Sequence, residues 1–170
     1  MIAPVPRLVV IGGLPGSGKT TVAHELVRAK RAAFVRIDAI EQTITDWSSL
    51  EKPLGPVGYG VGYALAGEQL RLGLDVVVEC VNPLAITRDA WVRTGTDARA
   101  RVAEVEVICS DKQEHRRRVE TRSVDIPGLL LPTWQQVLER EYEPWNRPHL
   151  VLDTAVLAAA DCVAAIWDAS

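Results

Sequence analysis

One run limits what this chain can fold into: Gly13-Leu14-Pro15-Gly16-Ser17-Gly18-Lys19-Thr20. It has the spacing G-x-x-x-x-G-K-[ST], in which every fixed position answers to an anion. The glycines let the backbone approach a phosphate and turn successive N–H groups inward as a nest. The N-terminus of a following helix adds positive potential. Lys19 supplies a mobile cation, and the Thr20 hydroxyl is a hard oxygen donor of the kind Mg²⁺ prefers. Gly13, Pro15, Gly16, Ser17, Gly18, Lys19, Thr20 and Thr21 are therefore the expected contacts of a nucleoside polyphosphate. The flanks agree with this. Residues 7–11 form a short apolar, β-branched run of buried-strand type. After the loop, Val22, Ala23, Leu26 and Val27 recur at helical spacing. A dinucleotide fingerprint does not fit, because the glycines do not fall as G-x-G-x-x-G and Lys19 would have no role in one.

The rest of the chain repeats the strand-then-helix order. Residues 32–37 read as a second strand ending at Asp38, and 39–47 as a short helix. Residues 48–58 read as a loop rich in Pro and Gly. Residues 59–72 suit a helix, although Gly60, Gly62 and Gly67 weaken it. Residues 74–81 are the most apolar run and read as a central strand. Asn82-Pro83 then predicts an N-cap and first turn for a helix running to about Ala98. Residues 102–109 read as a fourth strand. Ser110 with Gln113 predicts a capping box opening a helix through about Arg122, and Thr133 with Gln136 predicts another, ending before Pro144. Residues 149–152 and 155–167 close the chain as strand and helix. Five such alternations imply a parallel sheet covered on both faces, hence an α/β fold of three layers. Ligands of such sheets sit beyond the carboxyl ends of the strands. That points to Gly13–Thr20, Asp38, residues 79–82, Ser110 onward, and Asp153-Thr154.

A chain of 170 residues is enough for one domain with a sizeable core. A net charge of −3 gives no general pull toward nucleic acid, so a nucleic-acid partner is disfavoured. Cys80, Cys109 and Cys162 are odd in number, far apart and set in apolar runs, and read as buried thiols in a reducing compartment. No run has the length of a membrane span, and Met1–Pro6 lacks the features of a secretory leader, so the expected location is cytoplasmic. The oligomeric state is left open.

Asp38, at a strand end on the binding edge, could deprotonate an acceptor hydroxyl, or simply start a helix. Glu79, closing Val76-Val77-Val78, could hold Mg²⁺ with Thr20 or bind an acceptor. Asn82 and Arg88 follow on the same edge as candidate substrate contacts. Arg118 and Arg122, four apart among Arg116, Arg117 and their neighbours, could clamp a phosphoryl group as charge builds. The bland alternative is a solvated helix face paired with Glu114 and Glu120. Residues 126–132 suit a mobile lid. His24, His115 and His149 have no metal-ligand spacing and read as structural. Trp134 and Trp145 read as packing for the last helices or as an aromatic wall.

The chain resembles the P-loop kinases of adenylate-kinase-like fold that act on small molecules or nucleic-acid ends, such as gluconate kinase, adenylylsulfate kinase, chloramphenicol phosphotransferase and polynucleotide kinase domains. The resemblance rests on Gly12–Thr21, on Val-Arg-Ile-Asp-Ala-Ile (35–40), on Val-Val-Val-Glu-Cys-Val-Asn-Pro (76–83), where these kinases more often carry Asp at Glu79, and on the arginine-bearing stretch 114–122. It implies a P-loop nucleoside triphosphate hydrolase fold over 1–170 with a five-stranded parallel sheet and a helical lid at about 111–132. It further implies ATP as donor, Mg²⁺ as cofactor, and Lys19, Asp38, Arg118 and Arg122 as catalytic residues. The expected activity is transfer of the γ-phosphoryl group to a hydroxyl of a small molecule. A polynucleotide 5′-hydroxyl kinase and a nucleotide-binding ATPase or switch without an acceptor stay open.

Overall fold

The structure, a computed structural model, describes residues 5–169; the reading of the extreme N-terminus falls largely outside them. Five parallel strands form one sheet in the order β2-β3-β1-β4-β5. They are β1 (Arg7–Gly12), β2 (Ala33–Arg36), β3 (Val76–Glu79), β4 (Arg101–Ile108) and β5 (Leu150–Asp153). The helices are α1 (Lys19–Lys30), α2 (Ile37–Trp47), α3 (Val57–Arg71), α4 (Ala85–Asp97), α5 (Lys112–Thr121), the short α6 (Trp134–Leu138) and α7 (Ala159–Ala169).

Alternate residues of β1 serve opposite faces, as the strand period of two requires. Val9 and Ile11 join Val22 and Leu26 of α1 and Cys162 and Ile166 of α7 in one core. Leu8 and Val10 join Leu70 of α3, Trp91 of α4 and Val76 and Val78 of β3 in the other. Covered on both sides, β1 and β3 are apolar at nearly every position, the composition of strands inside a parallel sheet. Of the glycines that weaken α3 as a helix, Gly62 has a packing role. A Cβ at Gly62 would strike Ile37 and come within 3.2 Å of Trp91, so its absence lets α3 close onto α2 and α4.

Several sequence expectations shift. Asn82 does not cap α4: its φ of 53° puts it in the turn after β3, and the N-cap is Leu84. Asp111, not Ser110, caps α5, accepting hydrogen bonds from the Gln113 and Glu114 amides at 2.9 and 3.0 Å. Ser110 is occupied elsewhere, its amide donating to Asp153 at 3.0 Å and so tying the end of β4 to that of β5. The second strand stops at Arg36, and Asp38 already lies in the first turn of α2. The last helix starts at Ala159, because the carboxylate and carbonyl of Asp153 hold residues 154–157 in a turn. The Thr133–Gln136 capping box forms as expected. The three cysteines are buried free thiols. Among the described residues no helix is long and apolar enough to cross a membrane.

Candidate active site

The glycine-rich loop joins β1 to α1 at the carboxyl edge of the sheet. Gly16 and Gly18 take φ of 80° and 95°, a region that side chains disfavour. They are also closely packed. A Cβ on Gly16 would lie 2.5 Å from Val119 of α5, and one on Gly18 would lie 3.1 Å from Thr154 beyond β5. Two distant side chains hold the loop from behind. His115 Nε2 lies 2.8 Å from the Pro15 carbonyl and donates to it, which fixes the proton on that nitrogen. The Thr154 hydroxyl donates to the Ser17 carbonyl at 2.6 Å. Gly18 caps α1 without any side-chain hydrogen bond, and no acidic residue stands in the first turn. The first amides of α1 are thus left for an external anion. Ser17 Oγ is buried with no partner among the described residues, an orphan that a phosphate oxygen would satisfy.

Lys19, 4% exposed, lies with its Nζ 3.7 Å from Glu79 Oε1. The Thr20 hydroxyl donates to the same oxygen at 2.9 Å. Glu79 is 1% exposed and its second oxygen sits 2.9 Å from Arg36 Nε. The strand register makes this possible, since Arg36 stands directly opposite Glu79 on the neighbouring strand. A carboxylate so deeply buried persists only when paired, and here three groups share it. Its other neighbour, the Thr20 hydroxyl, gives a pair of adjacent hard oxygens. That donor set fits Mg²⁺, which takes one or two protein oxygens and fills the rest of its octahedron with phosphate and water.

Arg36 is a residue that motif reading missed. Its guanidinium also reaches Asp125 at 2.6 Å and 3.2 Å, joining the end of β2 to the irregular segment 122–132. These hydrogen bonds from Arg36 hold Asp125 below the usual carboxylate range. The only sequence signal was a charged residue inside an otherwise apolar strand.

Two cavities meet at the carboxyl edge. One, of about 490 Å³, is lined by Gly16, Gly18, Thr20, Thr21, Arg36, Arg118 and Asp125. The other, of about 750 Å³, is lined by Pro15, Val81, Glu41, Gln136 and Arg140. Lys19, Asp38 and Arg122 line both, with Leu129 and Leu131 over the junction.

The two arginines expected to act as a pair are separated. Helix α5 ends at Thr121, and Arg122 is its C-cap in an extended conformation. Arg122 stands at the junction with its Nε buried and unpartnered among the described residues. Burial lowers its pKa, against the pull of Asp38 and Asp125. Arg118 lines only the smaller cavity and bonds Glu114 at 2.7 Å and the Thr154 hydroxyl at 2.8 Å. It therefore braces the loop through Thr154. Arg116 and Arg117 are solvated partners of Glu120 and Glu114.

Arg88 does not belong to the cleft. It is fully buried, and its guanidinium donates to the carbonyls of Asn82, Pro83, Glu143 and Pro144 at 2.8–3.2 Å. It also lies 4.2 Å over the Trp145 ring. With its donors spent on main chain, it has nothing to offer a substrate. Asn82 is likewise interior at 1% exposed, its main-chain N–H donating to the Tyr59 hydroxyl and its Oδ1 accepting from the Thr87 hydroxyl. Both residues shape the turn after β3. Trp145 belongs to the same packing, stacked on His149 at 4.0 Å.

The fold recurs in known proteins. The structure superposes on APE1195 with a TM-score of 0.73 at 24% identity, covering 97% of this chain and 94% of that one. It superposes on the Mycobacterium tuberculosis APS kinase CysC in complex with AMPPNP and APS with a TM-score of 0.71 at 19% identity, covering 97% of each chain. For a gluconokinase from Sinorhizobium meliloti 1021 the TM-score is 0.61 at 21% identity, with 94% and 89% covered. At these identities the likeness is one of fold, that of the P-loop kinases. No curated protein matches the sequence significantly. The family model described as AAA domain matches residues 8–140, from β1 to just past α6, and the chain belongs to that family.

Proposed function

We propose that this protein is an ATP-dependent kinase that transfers the γ-phosphoryl group to a hydroxyl of a small molecule. The observation that carries the reading is the junction. A donor-sized cavity beside the glycine-rich loop and a second cavity beside α2 share one lysine, one carboxylate and one arginine. A phosphoryl group moving from one to the other passes these three residues.

The loop amides and Lys19 hold the β- and γ-phosphates. Thr20 and Glu79 would hold Mg²⁺, which when bound neutralises charge on the phosphates. Asp38 accepts the proton of the acceptor hydroxyl as its oxygen bonds to phosphorus and the bridging oxygen leaves on ADP. Arg122, its Nε unpartnered, faces the transferring group and offsets charge there. Arg118 stays on the donor side and braces the loop. Leu129 and Leu131 of the segment 122–132 cover the junction and exclude water, which would otherwise compete as acceptor. The cytoplasm, where ATP and reduced thiols coexist, is the compartment this chemistry suits.

Labelled γ-phosphoryl transfer to a panel of hydroxylated compounds tests the activity. Asp38→Asn should lower the transfer rate by about 10²–10⁴-fold, the range for loss of a general base. Its melting temperature should match the parent. Parent-like turnover by Asp38→Asn would remove the base from the mechanism.

A further inference from the structure

We propose that Glu41 selects the acceptor and that the acceptor is a neutral, polyhydroxylated small molecule. This rests on the kinase reading of the same cleft and names the substrate class for it. Glu41 follows Asp38 by three positions on α2, so the two carboxylates lie one helical turn apart and line the same cavity. Among the described residues, the Glu41 carboxylate takes part in no hydrogen bond or ion pair, although the side chain is half-buried. Lys52, whose ammonium donates to Gln42 at 2.8 Å, and Arg140 act on it only through space, as nearby positive charges. A half-buried carboxylate without a partner lacks acceptor-to-donor contacts that a bound hydroxyl pair would supply. Burial, with the Asp38 charge adding to it, pushes the Glu41 pKa up, as expected for a group awaiting such donors.

The posture of Glu41 is built into the fold. A Cβ at Gly58 of α3 would collide with its Cγ and come within 2.8 Å of its Oε1. Glycine at that position leaves the carboxylate room to lie along α3 and face the cavity.

The charges argue for a neutral ligand. An anionic group placed beyond Asp38 would meet the second carboxylate, and a cationic one would meet Lys19, Arg122 and Arg140 around the same space. A neutral polyol uses both kinds of side chain, since its hydroxyls donate to Glu41 and accept from Gln136 and Arg140. Val81 and the Leu129–Leu131 stretch add an apolar lining suited to the C–H face of such a molecule.

The test uses the full chain with labelled ATP and Mg²⁺. The acceptors are glycerol, a pentitol, myo-inositol and hexoses, set against amino sugars, sugar acids and a 5′-hydroxyl oligonucleotide. At least one neutral polyol should be phosphorylated with a kcat/KM tenfold or more above its amino and acid relatives. Glu41→Gln should raise the KM for that polyol tenfold or more with kcat within about threefold. Gly58→Ala, which displaces Glu41 without altering its chemistry, should raise the same KM. Transfer confined to charged acceptors or to the oligonucleotide, transfer to none of the panel, or unchanged KM in both folded variants overturns the assignment. Calorimetry with Mg-AMPPNP separates the two levels. Nucleotide binding without polyol phosphorylation removes the substrate class alone, whereas no nucleotide binding removes the kinase reading beneath it.

Discussion

At the proposed donor end of the cleft, the groups that would meet a phosphate are chiefly main-chain amides, held by packing from three directions. Val119 presses on Gly16, Thr154 presses on Gly18, and His115 holds the Pro15 carbonyl. At the proposed acceptor end the groups are side chains. Asp38 and Glu41 stand on α2, Gln136 on the five-residue α6, and Arg140 and Leu129–Leu131 on irregular chain. The first construction fixes geometry before any ligand arrives, because a tight backbone turn has few alternatives. The second leaves geometry to rotamers and to a segment pinned by few contacts. A donor common to many reactions suits a rigid cradle, and an acceptor that differs between relatives suits exchangeable side chains.

The strongest way to break this contrast is at Lys19, the buried side-chain cation of the proposed donor end. Lys19→Met should reduce phosphoryl transfer by about 10³-fold, the upper range for removing one preorganised electrostatic group. Single-turnover transfer measures it, with calorimetry of Mg-AMPPNP reading the donor site separately. A loss below tenfold would mean that the amides and the helix N-terminus carry the phosphates unaided.

A second test compares two arginines near the cleft. Arg88→Met leaves the four carbonyls that Arg88 serves without a donor. Breaking such a buried charged network costs about 3 kcal/mol or more, which lowers the melting temperature of a domain this size by roughly 6–12 °C. Arg122→Met removes a guanidinium whose Nε has no partner to strand. It should leave the melting temperature within about 2 °C, as for substitutions away from buried networks, and cut transfer by about 10²-fold. Thermal melts beside transfer rates separate the two. Equal effects would erase the distinction between an arginine that builds the edge and one that works at it.

The same contrast explains what the sequence could disclose. A backbone cradle demands glycines and a lysine at fixed intervals, so the loop, its strand and its helix were legible at once. The sheet was legible because strands covered on both faces must be apolar throughout, as residues 8–11 and 76–78 are. Glu79 was legible as the carboxylate that closes β3, whereas Asp38, read as a strand end, stands in the first turn of α2. Arg88 misled because an arginine on the helix that follows a strand end looks the same whether its donors meet a ligand or four carbonyls. Arg36 was hidden because its partners, Glu79 and Asp125, are 43 and 89 positions away and meet only through strand register and a returning loop. Glu41 was hidden for a related reason: its meaning depends on Gly58 leaving space for it, a contact between two helices. Pairs that exist only in three dimensions have no spacing to read. The capping residues slipped by one, from Ser110 to Asp111, because either can cap, and the amide of Ser110 was already bound to Asp153.

The smallest effect tests how lightly the segment 122–132 is fastened. Arg36 and Asp125 form a partly exposed pair, with Asp125 49% exposed, so solvent screens it and its worth is about 0.5–1 kcal/mol. Asp125 lies below the usual carboxylate range because it accepts hydrogen bonds from Arg36. The folded value being the lower one, the stabilisation is complete above the unfolded carboxylate pKa of about 3.9 and fades as pH falls through the folded value. Glu114, held down to about 2 by Arg117 and Arg118, acts on α5 instead. Asp125→Asn should therefore melt about 1–4 °C below the parent at pH 7. The gap should narrow as pH drops below about 4, once the parent carboxyl protonates too. Melting curves of both proteins from pH 7 to pH 3 measure it. A gap that stays constant across the range would show that Asp125 acts through packing, and that the acceptor end is fastened by something sturdier than one half-solvated ion pair.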